Sequence, residues 1–166
     1  MSTLGHFYAG IAAVIRSPET EQYLLLRRSE QKDYGRGIWE CVTGRVDQGE
    51  GFEDALHREV HEELGVQVQI EHILGTTHFY RGAPSPENEL LGVVYLCSLS
   101  DPASIQLSDE HSECRWLSVA QAIKLLSAPD PATQWARRVI ERAELVRQML
   151  PQNLASFQRQ MGFEFG

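Results

Sequence analysis

The segment from Phe52 to Leu64 constrains the fold and function of this chain more than any other part of its sequence. The segment contains neither Gly nor Pro, and its apolar residues recur every four positions, at Phe52, Leu56, Val60 and Leu64. Gly65 follows directly, and a glycine in this place is typical of a helix C-terminus. The pattern therefore predicts an amphipathic helix with one side on the core.

Three carboxylates crowd one sector of this predicted helix. At 3.6 residues per turn, Glu59, Glu62 and Glu63 fall within about 100° of one another, beside the apolar stripe. Like charges three and four residues apart repel, and Arg58, four residues before Glu62, relieves only part of this repulsion. A cation from elsewhere is therefore expected, and Mg²⁺ or Mn²⁺ prefers such oxygen ligands. The alternative is a solvated acidic helix face.

Short apolar runs and polar turns alternate on either side of this helix. We predict strands in six runs, at residues 7–15, 23–26, 38–44, 66–70, 72–80 and 90–99. Further helices are predicted at 119–126 and 133–149. This order predicts an α+β sandwich with a mixed sheet. We interpret residues 1–150 as one domain and 151–166 as a C-terminal tail that is mobile or packs on a partner.

The charge and hydropathy of the chain exclude several classes of function. A formal net charge of -8 argues against binding to a nucleic-acid duplex. No apolar stretch reaches the roughly 18 residues of a membrane span, and the N-terminal residues do not resemble a signal peptide. We therefore expect a cytoplasmic protein that meets an anionic substrate through local cations or a metal ion.

Residues 44–66, GRVDQGEGFEDALHREVHEELGV, resemble the Nudix box, G-x5-E-x7-R-E-U-x-E-E-x-G-U, in which U is a bulky aliphatic residue. Every fixed position matches, namely Gly44, Glu50, Arg58, Glu59, Val60, Glu62, Glu63, Gly65 and Val66. The resemblance implies a Nudix-type α/β/α sandwich with a central mixed β-sheet. It also implies hydrolysis of a phosphoanhydride bond in a nucleoside diphosphate linked to another group.

The resemblance also implies roles for the residues of the box. Glu59 and Glu63 are expected to hold Mg²⁺, with Mn²⁺ as a substitute. Glu62 would share this role or polarise the attacking water, and the Gly44 carbonyl would complete the ligand set. A second box pair, Glu50 and Arg58, is expected to join the preceding loop to the helix and so aim the metal ligands.

The general base is less determined, because family members take it either from the box or from a later loop. We predict Glu110, in the stretch LSDEHSE, with Glu113 and Glu62 as alternatives. Its neighbour His111 is interpreted as a surface residue. Two further histidines are predicted to be exposed on the helix side opposite the carboxylates, His57 and His61.

Several residues outside the box are candidates for substrate binding. Arg27 and Arg28 end a predicted strand, and by strand alternation one is expected to reach the phosphates while the other points to solvent. Trp39 would line a base or ribose pocket or belong to the core. Tyr80 and Arg81 flank a Pro-rich loop and would contact the variable group of the substrate.

Two other functions compete with hydrolysis. One is a Nudix domain that binds a nucleotide or nucleotide sugar without cutting it, and the other is an acidic interaction protein. The complete set of box residues favours the enzyme. Among its substrates, the stretches IWECVTGRVDQGE and DEHSECRWL look most like those of enzymes that cut nucleoside triphosphates to monophosphate and pyrophosphate. The resemblance further implies a possible homodimer.

Overall fold

The computed structural model describes residues 5–31 and 35–166. Residues 32–34, in the loop expected between the second and third strands, lie outside the described residues. Seven strands are found in the described part of the chain: β1 Tyr8–Arg16, β2 Tyr23–Arg28, β3 Trp39–Glu40, β4 Val42–Arg45, β5 Gln69–Tyr80, β6 Glu89–Ser98 and β7 His111–Leu117. The helices are α1 Phe52–Leu64, α2 Val119–Leu125, α3 Pro131–Met149 and α4 Gln152–Met161.

Strand β1 is the centre of the sheet. It pairs in parallel with β6 and antiparallel with β2 and β4, while β3 and β7 both pair with β2, and β5 pairs with β6. The residues of β1 are buried from Ile11 to Ile15, as expected for a strand covered on both faces. The predicted mixed sheet is confirmed, and the pairing of β2 with β7 brings Arg28 beside His111.

Each face of the sheet has its own hydrophobic core. Ile11 and Ile15 of β1 face the core under α1, whereas Val14 faces the core under α2 and α3. The first core includes Leu56 of α1 and the second includes Ile140 of α3. Helices therefore cover both faces, which confirms the expected α/β/α sandwich.

Local sequence explains where the helices begin and end. Helix α1 has the predicted bounds, and Gly65 ends it with a positive φ of 67°, a conformation that favours glycine. Helix α3 begins at Pro131 rather than at 133, because the side chain of Asp130 accepts a hydrogen bond from the Thr133 amide. No helix in residues 5–31 and 35–166 is long and apolar enough to cross a membrane.

The C-terminal tail forms α4 and packs on its own chain. Arg159 of α4 forms an ion pair with Glu71 of β5, and Gln158 lies 2.7 Å from the ring of His72. After α4, Phe163 packs against the first hydrophobic core. The tail therefore lies on the side of the sheet that carries α1.

Candidate active site

Gly44 and Glu59 bring β4 and α1 into close contact. A β-carbon on Gly44 would overlap the carboxyl group of Glu59. The glycine is therefore needed for the close approach of this carboxylate to the strand backbone. Burial raises the pKa of Glu59, and hydrogen bonding to Arg58 acts against that shift.

Arg58 connects the loop before α1 with the acidic residues of the helix. Its Nε and Nη2 donate to the two carboxylate oxygens of Glu50 at 2.8 and 2.9 Å, and Nη2 also donates to the carbonyl of Arg45. Its Nη1 donates to Glu59 at 2.8 Å and to Glu62 at 3.4 Å. The hydrogen bonds to Arg58 lower the pKa of Glu50. Arg58 thus reaches two of the three crowded carboxylates, more than the sequence pattern had indicated.

Glu63 is the crowded carboxylate to which Arg58 donates no hydrogen bond. Its residue surface is only 6% exposed, and its Oε2 has no hydrogen-bond partner among the described residues. Burial raises the pKa of Glu63 to about 9, and the nearby charges of Glu40, Glu59 and Glu110 add to the shift, while Arg28 opposes it. A buried carboxyl so poorly compensated is typical of a functional site.

His111 and Glu40 form the far wall of the site. Oε1 of Glu40 lies 3.1 Å from Nη1 of Arg28 and 3.1 Å from Nε2 of His111. The other ring nitrogen of His111, Nδ1, lies 3.8 Å from Oε2 of Glu63. His111 is buried, so its interpretation as a surface residue was wrong, because the pairing of β7 with β2 turns it inwards.

The two histidines of α1 differ from each other. His61 is exposed, as predicted, whereas His57 is half-buried and its Nδ1 has no hydrogen-bond partner among the described residues. The prediction of an exposed His57 was therefore wrong. Its position beside the apolar stripe accounts for the difference.

The donor set fits a hard divalent cation. No three His, Cys, Asp or Glu side chains in the described ranges already lie close enough together to hold a metal ion. Glu59 and Glu63 are nevertheless one helical turn apart, and Glu63 has a buried oxygen without a partner. Carboxylate and carbonyl oxygens are the ligands that Mg²⁺ and Mn²⁺ prefer, and a cation would offset the charge that burial penalises at Glu63.

The two loop glutamates proposed as bases occupy different surroundings. The Glu110 carbonyl accepts a hydrogen bond from the Ser29 amide, and its charge contributes to the raised pKa of Glu63. Glu113 instead forms an ion pair with Arg115 at 2.6 Å. The structure therefore brings Glu110 to the carboxylate cluster, while Glu113 is occupied by a surface arginine.

The candidate substrate residues are divided between the two faces of the sheet. Arg28 joins the carboxylate cluster through Glu40, whereas Arg27 is more exposed and pairs with Glu30 at 3.3 Å. Trp39 packs against the second core, and the guanidinium of Arg115 lies 4.8 Å from its ring centroid. Trp39 is therefore not brought together with the carboxylates.

A cleft of about 270 Å³ adjoins the box at Arg45. The cleft is lined by Tyr8, Arg45, Arg81, Glu87 and Asn88, and the guanidinium of Arg45 lies 4.5 Å from the ring centroid of Tyr8. Tyr80, by contrast, lies edge-on to His78. Of the two residues that flank the Pro-rich loop, Arg81 is thus the one in this cleft.

Glu40 and His111 were missing from the predicted site. Glu40 is a charged residue in a short apolar strand just before the box, and this was the signal that the sequence offered. His111 carried no such signal, because its burial depends on strand pairing between distant segments.

One family model and several curated relatives match this chain. The NUDIX domain model matches residues 6–143. The chain is 32% identical over 107 residues to the asymmetrical bis(5'-nucleosyl)-tetraphosphatase of Caenorhabditis elegans, covering 63% of this chain and 72% of that protein. It is 22% identical over 117 residues to Nudix hydrolase 6 of Arabidopsis thaliana, covering 69% of this chain and 40% of that protein.

Solved structures of other proteins share the fold of this chain. The MutT protein of Methanosarcina mazei Go1 superposes with a TM-score of 0.68 at 26% identity, covering 90% of this chain and 100% of that one. The chain spans less than half the length of several curated relatives that it matches.

Proposed function

The chain belongs to the NUDIX family, and on that premise we propose that it is a Mg²⁺-dependent pyrophosphohydrolase. Its substrate is a nucleoside diphosphate linked to another group, and a nucleoside triphosphate would yield the monophosphate and pyrophosphate. The observation that carries this proposal is Oε2 of Glu63, a buried carboxylate oxygen without a hydrogen-bond partner in the described part of the chain. Several carboxylates crowd together here, and one buried oxygen lacks a partner. This arrangement favours a cation site.

Glu59 and Glu63 are the proposed ligands of the metal, with Glu62 and the Gly44 carbonyl as further ligands. Bound there, Mg²⁺ or Mn²⁺ would neutralise phosphate charge and make an attacking water more acidic. The Glu50–Arg58 pair holds Glu59 and Glu62 in place, because the Arg58 guanidinium donates hydrogen bonds to Glu50 and to both of these carboxylates. These fixed carboxylates need little reorganisation when a substrate binds.

Proton transfer and substrate binding are assigned to residues on the other elements. Glu110 is the proposed base that takes the proton of the attacking water, because its charge already acts on Glu63. Arg28 is the proposed phosphate contact at the wall opposite α1. The cleft at Tyr8, Arg45 and Arg81 is proposed to hold the part of the substrate that varies.

Nucleoside triphosphates are the proposed substrate class, because the loops around the box look most like those of triphosphate pyrophosphohydrolases. Dinucleoside polyphosphates come second, since the tetraphosphatase from Caenorhabditis elegans shares 32% identity with the chain. A location in the cytoplasm and a homodimer remain predictions from the sequence.

A panel of nucleoside triphosphates, dinucleoside polyphosphates and nucleotide sugars tests the proposal. Each compound is incubated with the protein and Mg²⁺, Mn²⁺ or EDTA, and the products are identified by mass. Release of a nucleoside monophosphate that EDTA abolishes is the expected result. Tight metal-dependent binding without turnover would instead favour the sensor, a NUDIX domain that binds a nucleotide or nucleotide sugar without cutting it.

A further inference from the structure

We propose that Glu164, near the end of the C-terminal tail, is a positioning residue for α1. Its carboxylate fixes the first turn of this helix, and the adjoining Glu50–Arg58 pair transmits that position to Glu59 and Glu62. The catalytic part of this inference rests on the proposed function. Glu164 lies beyond residue 143, where the match to the family model ends.

The contact between Glu164 and the first turn of α1 is reciprocal, and we call it the clamp. Glu164 Oε1 accepts a hydrogen bond from the Phe52 amide at 2.9 Å, and its Oε2 accepts one from the Glu53 amide at 3.0 Å. In return, Oε1 of Glu53 accepts hydrogen bonds from the amides of Phe163 and Glu164. The first amides of a helix have no partner within it, and a negative charge there is favoured by the helix dipole.

Gly51 shows that α1 has no local replacement for this cap. Gly51 occupies the N-cap position, where Ser, Thr, Asp or Asn would usually supply the acceptor, and it makes no side-chain hydrogen bond. Its φ of -86° is open to any residue, so backbone conformation does not require glycine. A β-carbon at Gly51 would lie 2.6 Å from Oε2 of Glu164. The glycine therefore leaves the space that the tail carboxylate fills.

The residues around Glu164 hold the tail in place. Phe163 packs on the first core and lies edge-on to Tyr95, with ring centroids 6.0 Å apart. Gly162 ends α4 with a positive φ of 72° and so turns the chain back towards α1. The ion pair between Arg159 and Glu71 fixes α4 itself. Glu164 is thus presented to α1 by a packed segment.

Chain connectivity links this clamp to the candidate active site. Glu50 directly precedes Gly51, and the same Glu50 binds Arg58 through both of its carboxylate oxygens. A shift of the first helical turn would therefore move one end of the Glu50–Arg58 pair. Because Arg58 also donates to Glu59, such a shift would disturb the proposed metal ligands.

The test compares Glu164→Ala and Gly51→Ala with the unaltered full chain, well below the unfolding temperature. Amide hydrogen exchange at Phe52 and Glu53 reports the contact, and titration with Mn²⁺ reports the ligands independently of catalysis. We expect both variants to lose protection at these amides and to bind Mn²⁺ roughly 3- to 10-fold more weakly. The kcat should fall with little change in KM. The Tm should fall by about 2–4 °C.

Two further variants sharpen the test. The double variant should behave like either single variant, because both changes remove the same contact. Glu164→Gln keeps an acceptor but loses the charge, so its Mn²⁺ affinity should lie between those of the unaltered chain and Glu164→Ala. Glu19, an exposed glutamate remote from α1 in sequence, provides the matched control Glu19→Ala, which should change none of these quantities.

Other outcomes would overturn the inference. Amide protection that survives Glu164→Ala would mean that the contact is not made in solution. Protection that is lost while Mn²⁺ affinity and kcat stay unchanged would reduce Glu164 to a structural cap. Additive effects in the double variant would separate Gly51 from the clamp. If the unaltered protein binds Mn²⁺ but hydrolyses nothing, the proposed function fails, and amide exchange with Mn²⁺ affinity still decides the role of Glu164.

Discussion

Helices α1 and α3 cover opposite faces of the sheet, and each carries a glutamate whose pKa is strongly shifted, in opposite directions. Burial and neighbouring carboxylates raise the pKa of Glu63 on α1 to about 9. On α3, hydrogen bonds from Arg147, Gln148 and Tyr23 lower the pKa of Glu144 to about 2. The same chemical group thus contributes to stability where hydrogen bonds compensate its charge. Where its charge is not compensated, it is a candidate for function.

The largest effect is expected from Glu63→Gln. This change removes a proposed metal ligand, so kcat/KM with Mg²⁺ should fall by roughly a thousandfold or more, which corresponds to about 4 kcal/mol. Stability without metal should not fall, because glutamine removes a buried group whose charged form is disfavoured. Kinetics with Mg²⁺ and thermal unfolding in EDTA measure the two effects. A variant with full activity would refute the assignment of Glu63 as a ligand.

Arg58→Lys should have the next largest effect on activity. Lysine cannot form the two parallel hydrogen bonds that the guanidinium makes with Glu50, nor reach Glu59 and Glu62 at the same time. We expect kcat to fall by roughly 10- to 100-fold with a smaller change in KM. Steady-state kinetics at saturating Mg²⁺ would check this, and an unchanged kcat would show that Arg58 does not aim the metal ligands.

The α1 side of this comparison could be predicted from sequence, but the opposite wall of the site could not. The bounds of α1 follow from a regular apolar spacing and Gly65, which are local signals. His111 and Glu40 meet only because β7 and β3 both pair with β2, and the sequence does not specify such long-range pairing. The docking of Glu164 on α1 likewise joins residues more than a hundred positions apart.

Glu144→Gln tests the glutamate of α3, whose charge is compensated by hydrogen bonds. The change weakens hydrogen bonds from Arg147, Gln148 and Tyr23, so the free energy of unfolding should fall by about 1–2 kcal/mol and Tm by roughly 3–6 °C. Activity at a temperature where the variant is folded should not change. Glu141→Gln, which alters a more exposed pair with Arg137, is the control and should have a smaller effect. Loss of activity in Glu144→Gln would contradict the division between the two helices.

The stabilising effect of Glu144 should also depend on pH in a defined direction. Its folded pKa of about 2 lies below the ordinary value of about 4.3, so its contribution is present above about pH 4.3 and is lost as the pH falls towards 2. The difference in unfolding free energy between the unaltered chain and Glu144→Gln should therefore be full at about pH 6 and shrink towards about pH 2. Urea unfolding at several pH values measures it, and a constant difference would contradict the lowered pKa.

Trp39→Phe should have the smallest overall effect of these variants, and it tests whether substrate binding is confined to the α1 side. Trp39 packs on the core under α3, with Arg115 beside its ring, whereas its neighbour Glu40 contacts Arg28 and His111. A base or ribose bound near Glu63 would therefore not contact Trp39, and KM should change by less than about twofold, with at most a small loss of stability. A marked rise in KM without loss of stability would instead place part of the substrate on the α3 side.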